Sequence, residues 1–166
     1  EEAVREIKGE VVEPKIEVTV DINVDAFIPE EYIENHSQRL EIYKKIASIQ
    51  NQQDFYDVGE EVEDRYGDLP VPVSNLMMIA LIRGIAMDVG ICSISQKNEN
   101  ILLQFCDGKK VDLKAIADVV SQFNGKLMFT AGDPLYLTYK IGKDNVPTIL
   151  NNIKIMLQKL KELQID

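Results

Sequence analysis

The spacing of apolar residues changes near residue 90, and this change constrains the fold more than any other feature of the 166-residue chain. Between residues 37 and 89 the apolar residues recur every three to four positions, which is the period of helices packed against a core. From residue 91 onward, strand-like apolar runs alternate with two helical segments. The sequence therefore predicts a ββαββα unit that follows an N-terminal strand and several helices.

The ββαββα unit predicts the fold class. Its strands are expected at 91–95, 101–106, 126–130 and 135–141, and its helices at 113–123 and 145–163. Asp107-Gly108 is a tight-turn signal after the second of these strands. Such an order of elements is typical of an α+β fold, here with a small, mainly antiparallel sheet covered by helices.

The first half begins with regular alternation. Five apolar residues alternate with polar ones over residues 16–25, which predicts a half-buried strand. Residues 1–8 resemble the tail of a helix that ends at Gly9. We therefore expect residues 1–14 to be the end of a preceding helix plus a connector, and residues 15–166 to form a single domain of a larger protein.

Three helices are expected between the first strand and residue 90. The first is capped by Ser37 and runs to about residue 49, since serine is a favoured N-cap. The second is an acidic helix that Asp54 caps and Gly67 ends. The third begins at Pro72, runs to Val89 and is apolar on most sides, which suggests burial between the two halves of the fold.

The charge of the chain excludes several classes of function. The net charge is −10, and residues 1–25 carry −5 while residues 26–70 carry −7. Because binding to nucleic acid requires a basic face, direct contact with DNA or RNA is not expected. Acidic membrane surfaces are disfavoured for the same reason, and no apolar run approaches the ~18 residues expected of a membrane-spanning helix. The chain is expected to be cytoplasmic, with Cys92 and Cys106 as buried, reduced thiols.

The acidic helix is the segment most informative about function. Between Asp54 and Asp68 there are seven acidic residues and one basic residue. At a helical period, one side carries an apolar stripe formed by Phe55, Val58, Val62 and Tyr66. The other side carries what we call the acidic ridge: Asp57, Glu60, Glu61, Asp64 and Asp68. Like charges three or four residues apart cost a helix roughly 0.2–0.5 kcal/mol per pair, so the ridge raises the question of a cationic partner.

Three interpretations of this helix remain open from its residues alone. Charge runs are usually solvated, and Glu61 with Arg65 forms an i,i+4 pair that steadies the helix without any further role. Alternatively, Glu61, Asp64 and Arg65 dock on an arginine-bearing partner. As a different class, Glu61 and Asp64 could bind a divalent metal in an acidic hydrolase. The single histidine, His36, has no predicted partner for catalysis.

Three segments in order resemble the C-terminal domain of bacterial transcription-repair coupling factor, the Mfd family. They are AFIPEEYI at 26–33, QRLEIYKK at 38–45 and EVEDRYGDLP at 61–70. The family pattern is approximately A-[FY]-I-P-x-x-Y-I, R-L-x-x-Y-[KR] and E-L-x-D-R-[FY]-G-x-[LP]-P. The start of the chain also resembles the A-V-R-x-L-K-G helix that precedes this domain.

The resemblance implies a function that the spacing of residues did not show. The family consists of ATP-dependent DNA translocases that remove stalled RNA polymerase and then recruit UvrA through an N-terminal UvrB-like module. The C-terminal domain of the family packs on that module and hides its UvrA-binding face until polymerase is engaged. The chain is thus expected to be a regulatory, non-catalytic module with no cofactor of its own, since ATP and Mg²⁺ belong to the parent's motor domains.

The resemblance also assigns the interdomain contact to particular residues. The acid, the aspartate and the arginine of the family's E-x-x-D-R motif carry over to Glu61, Asp64 and Arg65. Two positions depart from the pattern. Val62 replaces the usual leucine and keeps the apolar stripe, whereas Glu63 stands where the family often has an apolar residue and adds charge beside the contact.

Overall fold

The computed structural model describes residues 17–106, 111–132 and 134–163. Within these residues the chain forms five helices and five strands. The helices are His36–Ala47 (α1), Gln52–Tyr66 (α2), Val71–Val89 (α3), Leu113–Ser121 (α4) and Val146–Leu163 (α5). The strands are Thr19–Asp21 (β1), Ile91–Lys97 (β2), Asn100–Phe105 (β3), Leu127–Thr130 (β4) and Tyr136–Lys140 (β5).

The five strands form one sheet in the order β1-β2-β3-β5-β4. β1 runs parallel to β2, and the other neighbouring strands are antiparallel. In the register of β3 with β5, Ile101 lies opposite Tyr139 and Leu103 opposite Leu137, and all four side chains are fully buried. The predicted α+β class and the ββαββα order of the second half are confirmed.

The first strand is much shorter than the alternating pattern predicts. Val18 is buried and Val20, Ile22 and Val24 are half-buried, so the alternation of exposure is present. Only three residues pair with β2, however, because the chain turns away after β1, where the Val24 N–H donates to the carbonyl of Ile22 at 2.9 Å. The alternation correctly predicted which side chains face the core, but it did not predict how few residues pair with β2.

Helix α3 lies at the centre of the molecule. It packs against α1, α2, α5, β1 and β2, and ten of its 19 residues are buried. This confirms the expectation of a helix enclosed between the two halves. By length and composition alone, the helix could span a membrane, so the expectation that no apolar run is long enough was wrong. Its position in the core accounts for its apolar composition.

Both predicted helix caps of the first half are wrong by two or three residues. The side-chain oxygen of Asn35 accepts from the Gln38 N–H at 2.9 Å, so Asn35 caps α1 and Ser37 lies inside the helix. At α2, the side chain of Asn51 accepts from the Asp54 N–H at 2.8 Å. Asparagine and serine are similarly good caps, so composition alone did not distinguish them.

The two cysteines are not the free thiols that the sequence predicted. The structure joins Cys92 and Cys106 in a disulfide, with their Cα atoms 5.1 Å apart. Cys92 lies at a register shift in β2, and Cys106 directly follows β3, so antiparallel pairing of the two strands brings the side chains together. The separation of 14 residues in the sequence does not predict this disulfide, because the pairing depends on the register of β2 with β3.

Three expectations fall on residues outside the described ranges. They are the helix end before Gly9, the connector that ends at Pro14 and the turn at Asp107-Gly108.

Candidate functional site

The acidic helix is held by its apolar stripe and by capping at both ends. Val62 is fully buried, and Phe55, Val58 and Tyr66 are half-buried against the core, as the periodicity predicted. At the start, Asn51 caps the helix while Asp54 Oδ2 accepts from the Gln50 N–H at 3.0 Å. Gly67 ends the helix with φ of 93°, a conformation that suits glycine. The ridge is therefore presented on a fixed surface.

Two of the three predicted site residues make contacts with α1. The Glu61 carboxylate accepts from the Lys45 ammonium of α1. One guanidinium nitrogen of Arg65 lies 3.4 Å from Glu41 Oε1, also on α1, and 3.5 Å from Glu61 Oε2. Arg65 also lies over the ring of Tyr66, 5.1 Å from its centroid. Glu61 and Arg65 are thus part of a small ion-pair network that joins α2 to α1.

The network changes the electrostatic character of Glu61. The hydrogen bond from Lys45, assisted by the charge of Arg65, holds the pKa of the Glu61 carboxyl below its usual value. The carboxylate remains ionised, but two cations already lie beside it. Most of its charge is therefore compensated within the fold, and its side chain is only 40% exposed.

Asp64 is placed differently from its two neighbours. It is exposed, and within the part of the chain that the structure describes it forms no ion pair. The same holds for Asp57, Glu60 and Glu63, although Asp57 accepts a hydrogen bond from Gln53 at 2.9 Å. The uncompensated negative charge of α2 thus lies on Asp64 and on the acids around it rather than on Glu61.

The three predicted residues do converge on one surface. Glu61, Asp64 and Arg65 line a shallow depression of about 370 Å³ together with Asp57 and Glu60. The arrangement offers carboxylates to a cation and one guanidinium to an acceptor, which suits a polar protein contact.

The geometry does not resemble a metal centre. Among the residues that the structure describes, no three His, Cys, Asp or Glu side chains are grouped to hold a metal ion. The Glu61 carboxylate is already occupied by Lys45, which leaves Asp64 without its proposed partner ligand. His36 is exposed at the first turn of α1, where its Nδ1 lies 3.2 Å from the guanidinium of Arg39.

Sequence reasoning missed the contribution of α1 to this site. Lys45 and Glu41 lie 16 and 24 residues from their partners on α2, and no local spacing connects them. The available signal was that both residues lie on the polar side of a helix that a short connection joins to α2. Only the packing of α1 against α2 shows that Lys45 and Glu41 contact residues of α2.

Comparison with known proteins identifies the family of this chain. The family model described as the TRCF domain matches residues 22–116. The transcription-repair-coupling factor of Staphylococcus aureus strain USA300 is 33% identical over 174 residues, which cover 98% of this chain and 14% of that protein. The protein of the same name from Staphylococcus haemolyticus is 33% identical over 167 residues, covering 98% and 13%.

A solved structure agrees with the fold. The crystal structure of a C-terminal domain of transcription-repair coupling factor superposes with a TM-score of 0.78 at 24% identity, covering 90% of this chain and 98% of that one. The chain spans about one seventh of the length of the curated relatives it matches. Since the family model covers more than half of the sequence, the chain belongs to the TRCF domain family, that of the C-terminal domain of transcription-repair coupling factors.

Proposed function

We propose that this chain is a regulatory, non-catalytic module of a transcription-repair coupling factor. It docks on the N-terminal UvrB-like module of the same protein and hides that module's UvrA-binding surface until RNA polymerase is engaged. It acts in the cytoplasm, in transcription-coupled nucleotide excision repair. ATP and Mg²⁺ serve the motor domains of the parent protein and not this module.

The observation that carries the proposal is the uncompensated charge of the ridge. The capped helix presents Asp57, Glu60 and Asp64 to solvent, and none of the three forms an ion pair among the described residues. Such charges repel one another and weaken the helix. A partner that bears arginines would relieve this repulsion and add bidentate hydrogen bonds, which makes the contact specific.

Glu61 and Arg65 have a second role in this account. Their bonds to α1 fix the position of the guanidinium at one end of the ridge. The docking face therefore offers acids and one arginine in a set arrangement, so that the partner must present arginines together with an acceptor.

Tethering makes such a contact effective even when it is weak. Two modules of one polypeptide meet at an effective concentration set by their linker, in the millimolar range for short flexible linkers. The contact can open only when a competing state offers better contacts, because a ligand shifts an equilibrium by its differential affinity alone. Engagement with RNA polymerase supplies that competing state in our proposal.

The test uses the full-length protein. Glu61→Ala, Asp64→Ala and Arg65→Ala together are expected to strengthen UvrA binding by about tenfold, equivalent to about 1.4 kcal/mol, because the masked surface is released. Exposed acids away from α2 provide the matched control: Glu99 lies in the turn between β2 and β3 and Asp118 lies on α4, and none of these elements contacts α2. Glu99→Ala with Asp118→Ala should leave UvrA binding unchanged. Unchanged UvrA affinity in the triple variant, with an intact thermal transition, would refute the proposal.

A further inference from the structure

A groove lies beside the acidic ridge, between α2 and the start of α3. It has a volume of about 650 Å³, and its apolar surface comes from Phe55 and Tyr56 of α2, Leu69 of the connection and Met77 of α3. A volume of this size accommodates a large side chain with room to spare. Tyr56 forms an exposed wall of the groove, with 61% of its surface accessible.

The groove and the ridge share residues. Glu60 and Asp64 line both the groove and the shallow depression of the ridge, and Glu63 lies on the groove's rim. All three acids are exposed and form no ion pair within the described ranges. One continuous surface therefore combines an apolar recess with a border of uncompensated negative charge.

A glycine keeps the floor of the groove open. Gly59 lies in the interior of α2, where glycine destabilises a helix by roughly 0.8–1.0 kcal/mol relative to alanine. A Cβ atom at this position would come within 3.2 Å of the Met77 methyl group of α3. Apart from the chain neighbours of Gly59 and the backbone of its own helix, no other described atom would lie within 4 Å. Glycine is therefore not required by a crowded backbone, and its effect is to leave space above Met77.

We propose that this groove receives one large apolar side chain from a cationic segment of the docking partner, whose lysines or arginines pair with Glu60, Glu63 and Asp64. The inference rests on the docking function proposed above and supplies its apolar contact. Charge selects the occupant: a neutral or acidic segment entering the groove would desolvate three carboxylates without compensation. A cationic segment compensates them while it buries the apolar surface of Tyr56 and Phe55.

The test fills the groove without altering its charge. Ser74 is exposed in the first turns of α3 and lines the groove, so Ser74→Phe places a ring in the recess. Val71, three residues earlier on the same helix, is 68% exposed and is not a lining residue of the groove, so Val71→Phe is the matched control. In the full-length protein we expect Ser74→Phe to strengthen UvrA binding about tenfold and Val71→Phe to change it less than about twofold.

A second variant removes the wall in place of filling the recess. Tyr56→Ala deletes exposed apolar surface from the groove. Like Ser74→Phe, it is expected to strengthen UvrA binding, because it weakens docking. Thermal melting of each variant shows that the fold is retained, so a loss of docking is not confused with unfolding.

The results separate this inference from the docking function itself. If the triple variant of Glu61, Asp64 and Arg65 strengthens UvrA binding but Ser74→Phe and Tyr56→Ala do not, the docking function is supported and the groove is not part of the docking surface. If neither set has an effect, both proposals fail. Equal effects of Ser74→Phe and Val71→Phe would also overturn the groove proposal, because the response would then reflect added apolar surface anywhere on α3.

Discussion

At the scale of single residues, Tyr139 shows how a buried polar group ties the sheet to the last helix. Its side chain is fully buried, its hydroxyl donates to Asp144 Oδ2 at 2.7 Å, and Asn152 Nδ2 donates to the hydroxyl at 2.8 Å. Burial raises the pKa of Tyr139 to about 12. The bond from Tyr139 and the ammonium of Lys126 lower the pKa of Asp144. Every partner in this cluster is thus hydrogen-bonded, as buried polar groups require.

Removing the Tyr139 hydroxyl should destabilise the fold in a pH-dependent way. Tyr139→Phe is expected to lower the free energy of unfolding by about 1–2 kcal/mol near neutral pH. Because the pKa of Asp144 is depressed in the folded state, the stabilisation is present above the unfolded pKa of about 3.9 and is lost as the pH falls through the folded pKa. Urea titrations at about pH 7 and about pH 3 should therefore show a smaller difference at the lower pH.

Tyr136 provides the control for this prediction. It lies on the same strand, is half-buried and makes no side-chain hydrogen bond among the described residues. Tyr136→Phe should change the unfolding free energy by less than about 0.5 kcal/mol. A difference for Tyr139→Phe that stays constant across the pH range would show that Asp144 is not its effective partner.

At the scale of elements, the helices were predictable and the contacts between them were not. The periodicity placed α2 and α3 within about three residues of their ends and predicted the buried stripe that includes Val62. It could not predict that Lys45 of α1 would reach Glu61, because that depends on the angle and offset between two helices. The parallel pairing of β1 with β2 was missed for the same reason: alternation sets which side chains face inward but not which strand lies alongside.

Two glycines in neighbouring helices make the importance of close packing testable. A Cβ atom on Gly84 of α3 would lie 2.6 Å from the carbonyl oxygen of Gln50, in the connection before α2. Because backbone must move to relieve this contact, Gly84→Ala is expected to lower the unfolding free energy by about 1–3 kcal/mol in spite of its better helix propensity. Thermal and urea unfolding measure the change.

Gly59→Ala is the matched comparison for Gly84→Ala. Its Cβ meets only the flexible end of Met77, at 3.2 Å, so the change in unfolding free energy should stay within about 1 kcal/mol of zero. If both alanine variants behaved alike, the close approach of α3 to the connection at Gln50 would not be what requires glycine at position 84.

At the scale of the whole molecule, composition and motif were informative in different ways. The resemblance of residues 26–70 to the coupling-factor family was confirmed, because the three motifs are specific and ordered. The α+β architecture followed from the periodicity alone. Neither source could locate the groove beside Tyr56, since its walls come from two helices and their connection. Two of its apolar lining residues, Phe55 and Met77, also fit the pattern of core residues, so the sequence does not mark them as part of a surface recess.

The central claim for the whole molecule is that the exposed side of α2 is covered in the parent protein. Carbodiimide labelling followed by mass spectrometry measures directly how accessible each carboxylate on α2 is to solvent. We expect Glu60 and Asp64 to be labelled readily in the isolated chain and at least about tenfold less in the full-length protein, with Glu99 and Asp118 labelled equally in both. Equal labelling of Glu60 and Asp64 in the two proteins would contradict the account.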